Sequence, residues 1–177
     1  MSDAHNFCGL AQKSVADDRK SSYVGGVTRR KFEMFNSAAE IKTYALAGHA
    51  TVTLTSQRTG ARYTYRVNRA KDRETGEPTN RWFVALLTGP DNESDYTYLG
   101  VVDGGGDFRL TGKSKLAADA PPVRGFAYMW SWIQTNRMPP QLEVRHEGHC
   151  GRCGRTLTVP ESIDRGIGPE CSKMMGV

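Results

Sequence analysis

The sequence predicts an α+β fold, in which a meandering antiparallel sheet of about five strands is packed by one or two helices and precedes a small cysteine-containing module. Residues 51–55 and 63–67 alternate polar and apolar side chains, which is typical of half-buried strands, and residues 82–87 are apolar enough for a central strand. Helix-start signals flank these segments, and three cysteines follow them. The chain is therefore divided into an N-terminal arm (1–36), an α+β domain (37–141) and a C-terminal module (142–177).

One helix is predicted before the strands and one after them. Ser37 and Glu40 have the spacing of a capping box, which predicts a short helix over residues 38–47. Pro121 and Pro122 fit the first turn of a second helix, because the amides there have no partner within a helix. Its apolar residues recur on one stripe, which we expect to pack across the sheet. They are Val123, Phe126, Trp130 and Ile133.

Five strand segments are predicted between the helices, each bounded by a turn or a polar connection. Short connections favour antiparallel neighbours, so the segments predict a meander. A further short strand near residues 142–145 is expected to lead into the C-terminal module. The five segments are 51–55, 63–67, 82–87, 96–102 and 108–110.

The cysteine spacing of the C-terminal module predicts a zinc site. Cys150 and Cys153 are separated by two residues, which lets both thiolates reach one ion across a tight turn. Cys171 closes the following loop from a position that resembles the first turn of a short helix beginning at Pro169. A ligand pair on a turn with a later ligand at a helix start indicates a treble-clef-like or zinc-ribbon-like finger.

The fourth zinc ligand is expected to be a histidine. His146 lies four residues before Cys150 and has enough intervening chain to fold back, whereas His149 is adjacent to that cysteine. His5 and Cys8 remain as alternatives from the arm. A site with three cysteines and one histidine is closed to water, so we expect one structural Zn²⁺ rather than a catalytic one.

The module also resembles a known group of sequences. The run CGRCGRTLTVPESIDRGIGPEC, from Cys150 to Cys171, is similar to a small zinc-binding domain of unknown function that recurs in proteins of bacteriophages and their bacterial hosts. The resemblance rests on the words CGR, LT-x-P-x-S-I and G-I-G-P-x-C. It implies that the three cysteines and a histidine just upstream are the ligands. It also implies a phage or mobile-element context, but no particular activity.

The charge of the chain permits a polyanionic partner. The formal net charge is +5 and the isoelectric point is near 9.1. Basic side chains that neutralise phosphates supply affinity without sequence preference. The candidate nucleic-acid contacts are Arg29, Arg30 and Lys31 in the arm and Arg152 and Arg155 beside the zinc turn.

These observations favour a non-enzymatic accessory protein that binds nucleic acid through basic residues. The chain has only four histidines, and no grouping of serine, histidine and acid is recognisable. The alternative is a protein–protein effector that binds and inhibits or modulates a host enzyme or defence complex, as an anti-CRISPR-type inhibitor does. No membrane-spanning or signal segment is recognisable, so we expect the bacterial host cytoplasm. No small-molecule cofactor is indicated.

Overall fold

The computed structural model describes residues 33–104 and 106–177, and within them the fold is α+β. Seven strands of this part of the chain form one sheet, in which every neighbouring pair is antiparallel. The strands are β1 (Glu33–Met34), β2 (His49–Ser56), β3 (Arg62–Lys71), β4 (Pro78–Leu87), β5 (Tyr96–Asp103), β6 (Phe108–Leu110) and β7 (Leu142–His146). The helices are α1 (Ala38–Ala45), α2 (Pro121–Gln134), α3 (Pro160–Arg165) and α4 (Pro169–Met175).

The predicted five-strand meander forms most of the sheet. The spatial order is β1-β7-β2-β3-β4-β5-β6, so strands β2 to β6 are neighbours in the order of the sequence. The pairing of β2 with β3 sets Thr53 opposite Thr64, and their hydroxyl groups are hydrogen-bonded at 2.9 Å. The polar and apolar pattern thus predicted the strand segments, and the short connections predicted their order in the sheet.

The C-terminal strand β7 belongs to this sheet rather than only to the cysteine module. It lies between β1 and β2, with Val144 opposite Leu54 and His146 opposite Val52. Val144 and His146 are both fully buried, because alternate residues of a strand share a face. The sheet therefore extends directly into the chain that carries the cysteines.

The predicted arm falls largely outside the described residues. Its last residues pair with the sheet, since Met34 lies opposite Arg145 in the pairing of β1 with β7. Phe35 follows and is buried in the core. The side chain of Ser37 then begins α1 by accepting the backbone N–H of Glu40 at 3.2 Å, as a capping residue does.

Helices α1 and α2 share one hydrophobic core with the sheet. Ile41 and Tyr44 of α1 are buried in it, together with alternate residues of strands β2 to β4. The apolar stripe of α2 is buried as predicted, and Phe126 and Trp130 stack with ring centroids 5.7 Å apart. Trp130 is therefore a core residue. No helix in the described part of the chain is long and apolar enough to cross a membrane.

Candidate metal centre

Two cysteines lie on a small hairpin that follows β7. His149 and Thr156 form the bridge of this hairpin, and the backbone N–H of Cys150 donates to the carbonyl of Arg155 at 2.8 Å. The N–H of Gly154 donates to the Cys150 carbonyl at 2.8 Å, and Gly154 has a positive φ of 74° that glycine adopts without strain. The turn therefore carries Cys150 and Cys153 as their spacing predicts.

Two short helices return the third cysteine to the hairpin. Helix α3 ends at Gly166, whose φ of 71° reverses the chain, and α4 begins at Pro169. Gly151 donates its N–H to the Gly166 carbonyl at 2.9 Å, which fixes the hairpin against this turn. Cys171 lies in the first turn of α4, where the sequence predicted it.

The three thiols form one group that fits a tetrahedral metal ion. The sulfur atoms of Cys150, Cys153 and Cys171 all lie within 4.8 Å of one another. Around zinc, with bonds of about 2.3 Å, tetrahedral sulfurs lie about 3.8 Å apart, so a small contraction brings these atoms into coordination. The N–H of Gly168 already donates to the Cys150 sulfur at 3.4 Å. Three thiols at these distances could together hold a metal ion.

Burial and backbone amides act in opposite directions on these thiols. Burial raises the pKa of Cys150, but the N–H groups of Gly168, Cys153 and Arg152 outweigh it and lower that pKa to about 7. Burial raises the pKa of Cys171 to about 11, and the neighbouring thiols add to the increase. Thiolates this close repel one another, so a divalent cation would stabilise the group.

The structure does not place His146 with the cysteines. Among the described residues the group contains no histidine. The imidazole of His146 lies in the core, 5.0 Å from the Phe35 ring and 5.3 Å from the Tyr44 ring, centroid to centroid. Its Nδ1 atom accepts the N–H of Gly148 at 3.1 Å. His146 faces the core because it and Val144 are alternate residues of β7, and alternate residues of a strand lie on the same face of the sheet.

The other expected fourth ligands are not brought to the thiols either. His149 belongs to the hairpin bridge and lies outside the group of close ligand atoms. His5 and Cys8 lie outside the residues that the structure describes. Within the described residues, the site therefore consists of three cysteines.

The finger, which we define as residues 147–177, packs closely on the α+β domain. A Cβ atom on Gly151 would lie 2.7 Å from Cδ2 of Tyr44, and one on Gly166 would lie 2.6 Å from the same atom. The N–H of His49 donates to the Gly151 carbonyl at 2.6 Å. Neither Tyr44 nor His49 lies near the cysteines along the chain, so the cysteine spacing does not predict these contacts.

The predicted nucleic-acid contacts divide into two sets. Arg152 and Arg155 are exposed on the hairpin, and the Arg152 guanidinium also contacts the sulfur of Met174 in α4. Arg29, Arg30 and Lys31 lie outside the described residues.

The comparisons with known proteins concern the finger. Residues 140–176 match a family of unknown function, DUF6011. The match contains β7, the hairpin and both short helices, together with all three clustered cysteines. No curated protein and no solved structure matches the chain significantly. The part of the chain that is similar to a known family is thus the part that carries the candidate metal centre.

Proposed function

We propose that this chain is a non-enzymatic zinc protein that binds nucleic acid, with one structural Zn²⁺ held by Cys150, Cys153 and Cys171. The proposal rests first on the group of three thiols within 4.8 Å. Sites dominated by thiolates are typical of structural zinc, which takes four protein ligands, so we expect one further donor to complete the tetrahedron and close the site to water. The ion would hold the hairpin to the first turn of α4.

A structural role is supported by what surrounds the thiols. Ile167, between α3 and α4, is fully buried, but the finger has few other buried apolar side chains. A segment of this size does not bury enough apolar surface to fold alone, and bound zinc commonly supplies the missing free energy. The metal and the contact with Tyr44 are then the two constraints that order the finger.

Nucleic-acid binding is supported by the exposure of two arginines on a rigid turn. Arg152 lies between the two hairpin cysteines and Arg155 follows them, so zinc would fix the backbone that carries both. Guanidinium groups bind phosphates through paired N–H donors. The positive net charge of the chain favours approach of a polyanion.

The test is a titration of zinc-loaded protein against fluorescein-labelled single-stranded and duplex DNA and single-stranded RNA at low salt. We expect binding that weakens steeply with salt concentration. The double variant Arg152→Ala/Arg155→Ala should show a shallower dependence of affinity on salt, because each phosphate contact adds to the slope of log affinity against log salt concentration. Exposed Arg73 on the β3–β4 turn provides the control substitution Arg73→Ala. If no probe binds at low salt, the proposal of nucleic-acid binding is wrong, and docking on a host protein is the alternative to test next.

The biological context is part of the same proposal. The resemblance of the cysteine-containing run suggests a phage or mobile-element accessory protein, which would act in the cytoplasm of the bacterial host. A reducing cytoplasm keeps thiols available to the metal, in agreement with a site built from cysteines.

A further inference from the structure

The positive charge of the chain does not come from the finger. Residues 147–177 contain four basic and four acidic side chains, so the finger as a whole is neutral although the chain carries +5. Arg152 and Arg155 alone therefore do not account for a polyanion-binding surface. The remaining charge lies elsewhere in the chain.

A groove of about 660 Å³ lies between α2 and the hairpin that joins β2 to β3. Its walls combine aromatic and aliphatic side chains with arginines, and among the lining residues are Leu54, Arg58, Tyr63, Arg124, Tyr128 and Leu142. The two segments that supply most of this lining, residues 54–63 and 121–142, contain four arginines and no Asp or Glu. Glu143, the next acid along the chain, is paired with Arg145 at 2.8 Å. The groove is thus apolar and positively charged.

Aromatic rings continue from the groove along the outer side of α2. Tyr128 is 42% exposed, so part of its ring is accessible to a ligand. Its ring lies 6.1 Å from that of Trp132, and the Arg137 guanidinium covers the Trp132 ring at 5.1 Å. The two rings lie one helical turn apart with arginines beside them, so they form a surface of aromatic rings and guanidinium planes.

We propose that this groove and the adjoining rings of α2 bind single-stranded nucleic acid. Aromatic rings and guanidinium planes stack unpaired bases, while arginines at the same surface bind the phosphates. A duplex keeps its bases stacked inside, so the exposed rings would have no base face to contact. The arginines and the absence of acidic side chains in the lining favour an anionic ligand over a cation. This inference rests on the proposed function and specifies the class of nucleic acid that the protein binds.

The groove is separate from the finger. The hairpin turn at the end of β2 borders the groove, whereas His49 at the start of that strand contacts the finger. Eight residues of antiparallel strand separate the two positions by roughly 24 Å. Substitutions in one site can therefore be made without touching the other.

The experiment measures anisotropy of a fluorescein-labelled 20-nucleotide oligo(dT), oligo(U) of the same length and a 20-base-pair duplex, with zinc-loaded full-length protein. Arg124→Glu reverses an exposed charge, and Tyr128→Ala removes an exposed ring. We expect Tyr128→Ala to weaken single-strand binding by about 5- to 150-fold, the range found for loss of one base-stacking ring. Tyr128→Phe keeps the ring and should bind within twofold of the unchanged protein. Duplex binding should change less than twofold in all three.

Matched controls lie on other surfaces. Arg73→Glu reverses an exposed charge on the β3–β4 turn, and Phe83→Ala removes a ring of similar exposure, 45%, from β4. Both should leave single-strand affinity within twofold, and circular dichroism should show that every variant is folded.

The outcomes separate this inference from the proposed function. If Arg124→Glu and Tyr128→Ala bind single strands normally while the Arg152/Arg155 variant loses binding, the groove inference is overturned and the proposed function stands. Loss of binding through Tyr128→Ala but not Tyr128→Phe supports the groove. If no nucleic acid binds, but an acidic, Trp-containing peptide binds and Tyr128→Ala abolishes that binding, both the proposed function and the groove inference are wrong.

Discussion

The ring of Tyr44 packs directly against Gly151, so that a Cβ atom on this glycine would lie 2.7 Å from the ring carbon Cδ2. Tyr44 belongs to α1 and Gly151 to the turn between the two hairpin cysteines. The hydroxyl of Tyr44 lies 3.3 Å from the carbonyl of His149, to which it can donate. One side chain therefore connects the first helix of the α+β domain to the candidate metal centre more than a hundred residues later.

Replacing Gly151 with alanine should destabilise the protein. The added Cβ would also lie 2.9 Å from the Tyr44 carbonyl oxygen, and a backbone atom does not move aside easily. Overpacking at such a site costs about 1–3 kcal/mol of unfolding free energy. Urea unfolding measures the loss. Gly112→Ala is the matched control, because nothing lies within 4 Å of the added Cβ there and its unfolding should be almost unchanged. Equal stability of the two variants would disprove the close contact.

Substitution of His146 and of the cysteines should have different consequences. We expect His146→Phe to keep zinc, because the imidazole lies between Phe35 and Tyr44, and to lose about 0.5–1.5 kcal/mol with the hydrogen bond from the half-buried Gly148 N–H. Cys171→Ser should lose zinc. Metal analysis of both purified variants distinguishes the two positions. A folded His146→Phe protein without zinc would instead make this histidine the fourth ligand, as its sequence position suggested.

Removal of the metal should loosen the finger before the sheet. Without the ion, the thiols no longer hold the hairpin to α4, and the finger is too small to remain ordered alone. Hydrogen exchange at the amides of Gly151 and Gly168 should accelerate after chelation, while amides of β3 and β4 keep their protection. Unchanged exchange at Gly151 in protein shown to be metal-free would contradict a structural role for zinc.

The buried hydroxyl of Tyr65 should make stability decrease at alkaline pH. Burial, with a smaller effect from Tyr63, raises the pKa of Tyr65, and the neutral hydroxyl donates to the Pro122 carbonyl at 2.7 Å. An unfolded tyrosine ionises near pH 10, so this contribution is complete below about pH 10 and decreases above it, by up to about 1.4 kcal/mol per pH unit.

The variant Tyr65→Phe isolates this effect. It should be less stable than the unchanged protein at pH 8, because the Pro122 carbonyl loses its donor, but its urea midpoint should fall less steeply between pH 9.5 and 11. Parallel pH profiles for the two proteins would show that the Tyr65 hydroxyl does not retain its proton in the folded state.

Local patterns predicted the sheet and the cysteine turn, because both depend on neighbours in sequence. Alternation predicted β2 and β3, apolar runs between turn residues predicted β4 to β6, and the C-x2-C spacing together with Gly154 predicted the hairpin turn. The position of β7 between β1 and β2 was not predictable in this way, since it depends on pairing between residues about ninety positions apart.

The expectation for His146 shows the same limit. Its proximity to Cys150 along the chain favoured a ligand, but the face of the strand on which it lies depends on the register with β2. That register places it beside Val144 on the core side. Tyr44 likewise carries no local signal for its contact with the finger, which arises only when α1 is folded onto the sheet.

The most direct test of this account combines metal analysis with thiol titration on the intact, reduced protein. We predict one zinc per chain, with Cys150, Cys153 and Cys171 unreactive until a chelator removes the ion and all three reactive afterwards. Substantially less than one zinc per chain after purification in zinc-containing buffer, or rapid reaction of these three thiols before chelation, would contradict a zinc-held finger.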